Sequence, residues 1–177
     1  IFTFSSILIR PYLARLADIR GRRLVLLAAT ASFALLFIPY TKVQTMIPLY
    51  SLRILHGVVH GAYLAASFAY VADLAPYDRR GEVMGIFGIS NVLSMALAPA
   101  LGIWLFNVSE GSFLFPFTAS VISASLAFLA IMMIGEMKPG LSETENRSLT
   151  AIIRQRALWV SSLALFSGAT VYGALMA

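Results

Sequence analysis

Apolar residues along this chain fall into blocks near the length that crosses a bilayer, about 20 residues, separated by short polar stretches. The pattern predicts a shortened span at 1–16 and full spans at about 24–40, 46–72, 83–106 and 113–134. A last span opens at 158 and runs to the final residue. The blocks are rich in Leu, Ala, Gly and Phe and do not alternate apolar with polar, which excludes transmembrane strands of about 10 residues. Helices remain, because every backbone group in hydrocarbon must find its partner within the segment or a closed barrel.

The polar stretches set an orientation. Arg15, Arg20, Arg22 and Arg23 lie in a connection read as 15–23, which overlaps the end of the first block; Arg79 and Arg80 lie between the third and fourth blocks, and Lys138, Arg147, Arg154 and Arg156 between the fifth and sixth. The two alternate connections, 41–45 and 107–112, hold only Lys42. Basic residues collect on the cytoplasmic side, so the three basic connections are expected inside and the other two outside. Trp104 near an outer end and Trp159 near an inner start fit an interfacial aromatic belt. The connection after Met137 carries Pro139, Gly140 and the polar run 142–148. It reads as a linker, with 149–156 either a short amphipathic helix against anionic headgroups or a solvated loop.

Composition agrees with this class. The 177 residues are 59% hydrophobic and 12% charged, whereas soluble domains are about a quarter charged. The mean hydropathy is +0.84. No cysteine is present, so neither disulfides nor thiolate chemistry is expected. No signal peptide is legible. The chain opens on Ile1 within one apolar run and closes on Ala177 within another, and is read as an internal piece of a longer protein. Nothing in the charge pattern points to nucleic acid.

The candidate chemistry begins at the first basic turn, Ala14-Arg15-Leu16-Ala17-Asp18-Ile19-Arg20-Gly21-Arg22-Arg23. A glycine turn between two membrane helices, with an acid at the membrane edge, can receive a facing helix N-terminus. This stretch resembles the major facilitator superfamily signature between helices two and three, G-x-L-A-D-R-x-G-R-R. Leu16, Ala17, Asp18, Gly21, Arg22 and Arg23 match; Ala14 replaces the first glycine, and Ile19 stands where an arginine is usual. The next cytoplasmic turn, from Asp73 through Pro76 to Arg79, Arg80 and Gly81, repeats the acid, the proline stop and the basic residues before a glycine. The resemblance implies that Asp73 pairs with Arg22, and that Asp18, Gly21, Arg22, Arg23 and Asp73 form a cytoplasmic gate. The alternative is a merely topogenic basic loop.

Arg53 lies about 10 Å inside the third block, by helical rise. With Gly57 it resembles the family's fourth-helix motif, an arginine followed by glycine four residues later. A charge at that depth faces protein or a water-filled path, or snorkels to the outer surface. His56 and His60, four apart, share a face near that of Arg53. The three are the candidates for a substrate cavity or proton path. No cysteine, carboxylate or H-E-x-x-H pattern accompanies the histidines, which argues against a metal. Gly57 and Gly61 make a groove for another helix. In the fourth block Gly85, Ser94, Ala98, Pro99 and Gly102 partly match the fifth-helix antiporter motif, which the family associates with export; a generic packing ridge is an equal reading. Asn91 either reaches substrate or bonds a neighbouring helix, the second being favoured.

The resemblance implies an all-α integral membrane protein of twelve helices in two bundles. Residues 1–136 would be helices two to six of the first bundle, 137–157 the central cytoplasmic linker, and 158–177 the start of helix seven. It further implies alternating access around a midplane site, with proton-coupled efflux of a small molecule as the expected activity and facilitative or symport uptake as the alternative. The expected setting is a multi-pass protein of a bacterial plasma membrane, without cofactors, its partners being substrate, protons, lipid and the remainder of the same chain. The spans carry no Asp or Glu between their ends, so a coupling acid would lie elsewhere. An enzyme would need nucleophiles, acids or metal ligands converging at one depth, and only the histidine pair offers that. A channel or non-transporting membrane protein has no need for charged latches on alternate cytoplasmic turns.

Overall fold

The computed structural model describes residues 1–43, 45–136 and 159. Five long helices account for nearly all of them: α1 (Phe2–Arg20), α2 (Arg22–Tyr40), α3 (Met46–Leu74), α4 (Arg80–Val108) and α5 (Leu114–Met132), with one 3-10 turn, Tyr77–Arg79, leading into α4. The linker expected at 137–157 and the span expected from 158 lie outside the described residues, apart from Trp159, which is helical and exposed.

Each of the five apolar blocks within residues 1–136 becomes a helix, and most of these helices outrun their blocks. The first extends to Arg20, so the connection read as 15–23 shrinks to the single residue Gly21. Charged residues are good helix formers once the chain leaves hydrocarbon, and Arg20 also complements the helix C-terminus. Gly21 then ends α1 and opens α2 in one step. Its φ of 97° and ψ of 139° are open to glycine and costly for any residue with a Cβ. At the other cytoplasmic turn Ala75 leaves the helical region and Pro76 follows, as expected of a residue before proline.

Among the described residues, four helical segments are long and apolar enough to cross a bilayer: Arg22–Tyr40, Met46–Leu74, Tyr77–Val108 and Leu114–Met132. Helix α1, of 19 residues, carries Arg10, Arg15, Asp18 and Arg20 besides its apolar residues. Helix α3 is the centre of the packing, lying against α1 and α2, while α2 also packs along α5 and α4 touches α3 and α5 more lightly. The core is aromatic: Phe33, Phe37, Tyr63, Tyr70 and Phe87 are buried. Phe68 meets Phe87 edge-on to join α3 and α4, and Tyr40 stacks on Phe117 to join α2 and α5. The outer faces expose Leu35, Ile38, Ile89, Val92 and Leu129. A soluble monomer rarely presents such continuous apolar surface; lipid is the solvent that accommodates it.

The groove at Gly57 and Gly61 is filled by α1. A methyl at Gly61 would come within 2.7 Å of the Ser6 carbonyl oxygen, and one at Gly57 would collide with the carbonyl of Phe2. These two glycines bring α1 and α3 into backbone contact, and that approach places the polar residues of α1 beside those of α3.

Candidate functional site

At the cytoplasmic end the Arg22 guanidinium gathers three helices. It forms an ion pair with Asp73 and donates to the Ala69 carbonyl, both on α3, and reaches Asp18 of α1 at 3.4 Å. The side chains of Arg22 and Asp73 are 11% and 15% exposed, that of Asp18 60%. The interactions are therefore unequal: the Arg22–Asp73 pair is largely shielded from water, and the Asp18 contact is a surface pair. The sequence reading placed these residues in one gate, and the structure brings them together.

Two further residues complete the cluster and were not singled out from sequence. The Glu136 carboxylate accepts hydrogen bonds from the backbone N–H groups of Arg22, at 2.9 Å, and Arg23, at 3.3 Å. It thus satisfies N–H groups that the first turn of α2 leaves without helical partners, and its charge complements the helix N-terminus. A methyl at Gly21 would stand 2.9 Å from that carboxylate, a second reason for glycine there. Arg23 returns the contact, its guanidinium donating to the Met132 carbonyl at 2.8 Å and the Ile131 carbonyl at 3.5 Å, at the end of α5. The Tyr70 hydroxyl donates to the Gly135 carbonyl at 2.9 Å. The legible signal for Glu136 is an acid directly after an apolar span, against the basic trend of cytoplasmic ends. Replacing it with alanine uncaps α2 and is expected to lower stability by about 1 kcal/mol, with Glu136→Gln losing less. Thermal unfolding in detergent measures both, and equal unfolding midpoints for all three proteins would contradict the capping role.

The residues expected to form a cavity wall separate. His56 is 1% exposed and enclosed by Phe2, Phe33, Phe37 and Tyr40, with ring centroids 5.2, 5.5, 5.4 and 6.0 Å away. Its Nδ1 makes no hydrogen bond among the described residues. Arg53, one turn towards the outer end, lies over the Tyr40 ring at 6.0 Å. His60 faces another way. Its Nδ1 is 3.3 Å from the Ser6 hydroxyl, and it lines a cavity of about 280 Å³ between α1, α3 and α4. Phe2 packs on both imidazoles and lies between the two environments.

The same cavity is lined by Arg10 and Ser6 of α1 and by Asn91 and Met95 of α4. Sequence reading left Arg10 inside the first predicted span without a role and favoured a helix contact for Asn91. Arg10 lies mid-helix, eight residues before Asp18, or about 12 Å along the axis. Of the proposed antiporter motif, Ser94, Ala98 and Gly102 are buried, Pro99 sits within an unbroken α4, and Gly85 is exposed with open space where a Cβ would stand. The small-residue ridge is therefore confined to the outer half of α4.

The sequence profile of the Major Facilitator Superfamily matches residues 1–177. Among curated relatives, a triacylglyceride transporter of Mycobacteroides abscessus is 31% identical over 146 residues, 81% of this chain and 27% of that protein. Multidrug resistance protein 3 of Bacillus subtilis is 29% identical over 119 residues, covering 67% of this chain and 23% of the relative. The class G tetracycline resistance protein of Vibrio anguillarum is 30% identical over 129 residues, 73% of this chain and 32% of its own. The chain thus spans about a quarter to a third of the length of these relatives. No solved structure matches. The family and these relatives are transporters rather than enzymes, and with its helical bundle and its apolar spans this integral membrane chain belongs to the major facilitator superfamily.

Proposed function

We propose that the chain is part of a secondary carrier that moves a small molecule across a bacterial plasma membrane by alternating access, in the direction of efflux. Residues 1–136 would be helices two to six, 137–157 the linker and 158–177 the start of helix seven. The observation that carries the reading is the Arg22 cluster. One guanidinium binds a shielded acid on α3 and a surface acid on α1, an arrangement that holds one face shut and yet is reversible. Switching between carrier states requires contacts of that kind, strong enough to bias an equilibrium and weak enough to release. Similarity to multidrug and tetracycline resistance proteins supports export.

Facilitative transport is the second reading, and a specific observation favours it. The acids of residues 1–136 are Asp18, Asp73, Asp78, Glu82, Glu110 and Glu136, all at helix ends or in connections. None stands mid-span, where proton coupling would place a titratable carboxylate. Flux of ethidium and tetracycline through proteoliposomes of the complete carrier decides the matter. A pH gradient that drives accumulation against the substrate gradient establishes coupled export. Flux that only runs downhill establishes the facilitative reading, and flux equal to empty liposomes for every compound in a wider drug and lipid panel overturns the carrier assignment.

A further inference from the structure

We infer that the cavity between α1, α3 and α4 binds an amphipathic anion, a small molecule with one compact acidic head and an apolar body. The inference rests on the carrier reading and specifies its substrate class. Arg10 supplies the cation, and Asn91, Thr3, Ser6 and His60 add polar groups around the same space of about 280 Å³. No acid is among the described residues that line it. The rest of the wall, Phe2, Ile7, Leu64 and Met95, offers no polar group to a ligand body, and Met95 adapts its shape to irregular apolar groups.

Position strengthens the argument. Arg10 stands about 12 Å from Asp18 and its gate, and His60 lies thirteen residues before Asp73 on α3, about 20 Å by the same rise. The cavity therefore lies near the middle of a hydrocarbon core about 30 Å thick. A guanidinium at that depth is expensive without water or a counter-charge, and the described lining offers it no carboxylate. An incoming carboxylate or sulfonate supplies one, with the forked donor geometry that arginine matches. A cationic ligand in the same space meets an uncompensated repulsion. Charge and apolar wall together select an anion that carries hydrocarbon.

The test uses the complete carrier in detergent micelles, with dansyl-undecanoate and its neutral primary amide as paired fluorescent probes. The carboxylate is expected to bind at least about tenfold tighter than the amide, the scale of one charge-assisted hydrogen bond. Arg10→Gln removes that preference and leaves amide affinity within about twofold, whereas Arg10→Lys keeps the charge but loses the fork and retains only part of it. Asn91→Asp, nearly isosteric and distant in sequence from Arg10, places an acid on the opposing wall and lowers carboxylate affinity without lowering that of the amide. Equal affinity for the two probes in the parent protein overturns the inference, as does parallel loss of both in Arg10→Gln and Asn91→Asp. Flux in proteoliposomes separates this failure from that of the carrier reading. A protein that transports ethidium yet shows no anion preference is a carrier with another substrate class; one with the predicted preference and no flux of any compound retains the site and loses the carrier assignment.

Discussion

Asp73→Asn in the complete carrier is expected to lower the initial transport rate about tenfold or more while leaving the amount of protein in the membrane unchanged; Asp18→Asn is expected to lower it far less. The asymmetry follows from exposure. Arg22 and Asp73 are 11% and 15% exposed, whereas Asp18 is 60% exposed and 3.4 Å from its partner. A surface pair contributes about 0–1 kcal/mol. Removing one member of a shielded pair leaves the other charge poorly solvated, at up to about 3–5 kcal/mol. The Ala69 carbonyl, which also accepts from Arg22, moderates that penalty, so a net bias of about 1.4–3 kcal/mol is a reasonable scale. Such a bias shifts the balance between closed and open cytoplasmic faces by about 10- to 150-fold. A carrier trapped on one side turns over slowly whichever side it is. Two readouts are needed: flux in proteoliposomes, and labelling of a cysteine placed at Ala69 by a membrane-impermeant maleimide from the cytoplasmic side. Labelling should rise as flux falls. Equal effects of Asp18→Asn and Asp73→Asn, or unchanged labelling, would remove the gate from the mechanism.

The helices of residues 1–136 and most of the Arg22 cluster were legible because they are written locally. A hydrophobic span needs only length and composition, and Asp18, Gly21, Arg22 and Arg23 lie within one turn of chain. Asp73 required the resemblance, since 51 residues of sequence distance cannot be closed by periodicity alone. Glu136 was out of reach for the same reason in stronger form: its partners are 113 and 114 positions away, and only the fold of α5 beside α2 brings it to the N-terminus of α2. The histidines failed differently. Residues four apart on a helix differ by about 40° in direction, which is too little to separate by sequence. It is enough here for Phe2 to close off His56 and leave His60 on the cavity. Arg10 was given no role because nothing local in sequence shows which helices face a charge inside the first span. A charge inside a membrane helix marks a functional wall as readily as a boundary, and only the neighbouring helices decide which.

Gly57→Ala should separate α1 from α3 and Gly61→Ala should do so to a lesser degree, while Gly85→Ala serves as an internal control. At Gly57 the new methyl would run into the main-chain carbonyl of Phe2 and stand 3.0 Å from the Ser5 Cβ; at Gly61 it would meet the Ser6 carbonyl at 2.7 Å and Ile9 at 3.1 Å. Backbone atoms have no rotamer to escape into, so α1 itself must move. Overpacking of this kind typically destabilises by about 1–3 kcal/mol. The same substitution at Gly85 meets nothing within 4 Å, and alanine there gains about 1 kcal/mol of helix propensity. Displacing α1 also carries Ser6 and Arg10 away from His60, and shifts Phe2 from its place against His56. Stability and ligand binding should therefore fall together at positions 57 and 61 and remain intact at 85. Denaturation in mixed micelles and affinity for the carboxylate probe measure the two effects. If Gly57→Ala behaves like Gly85→Ala in both, α1 does not lie against α3 as closely as the glycines require, and the cavity they define has another shape.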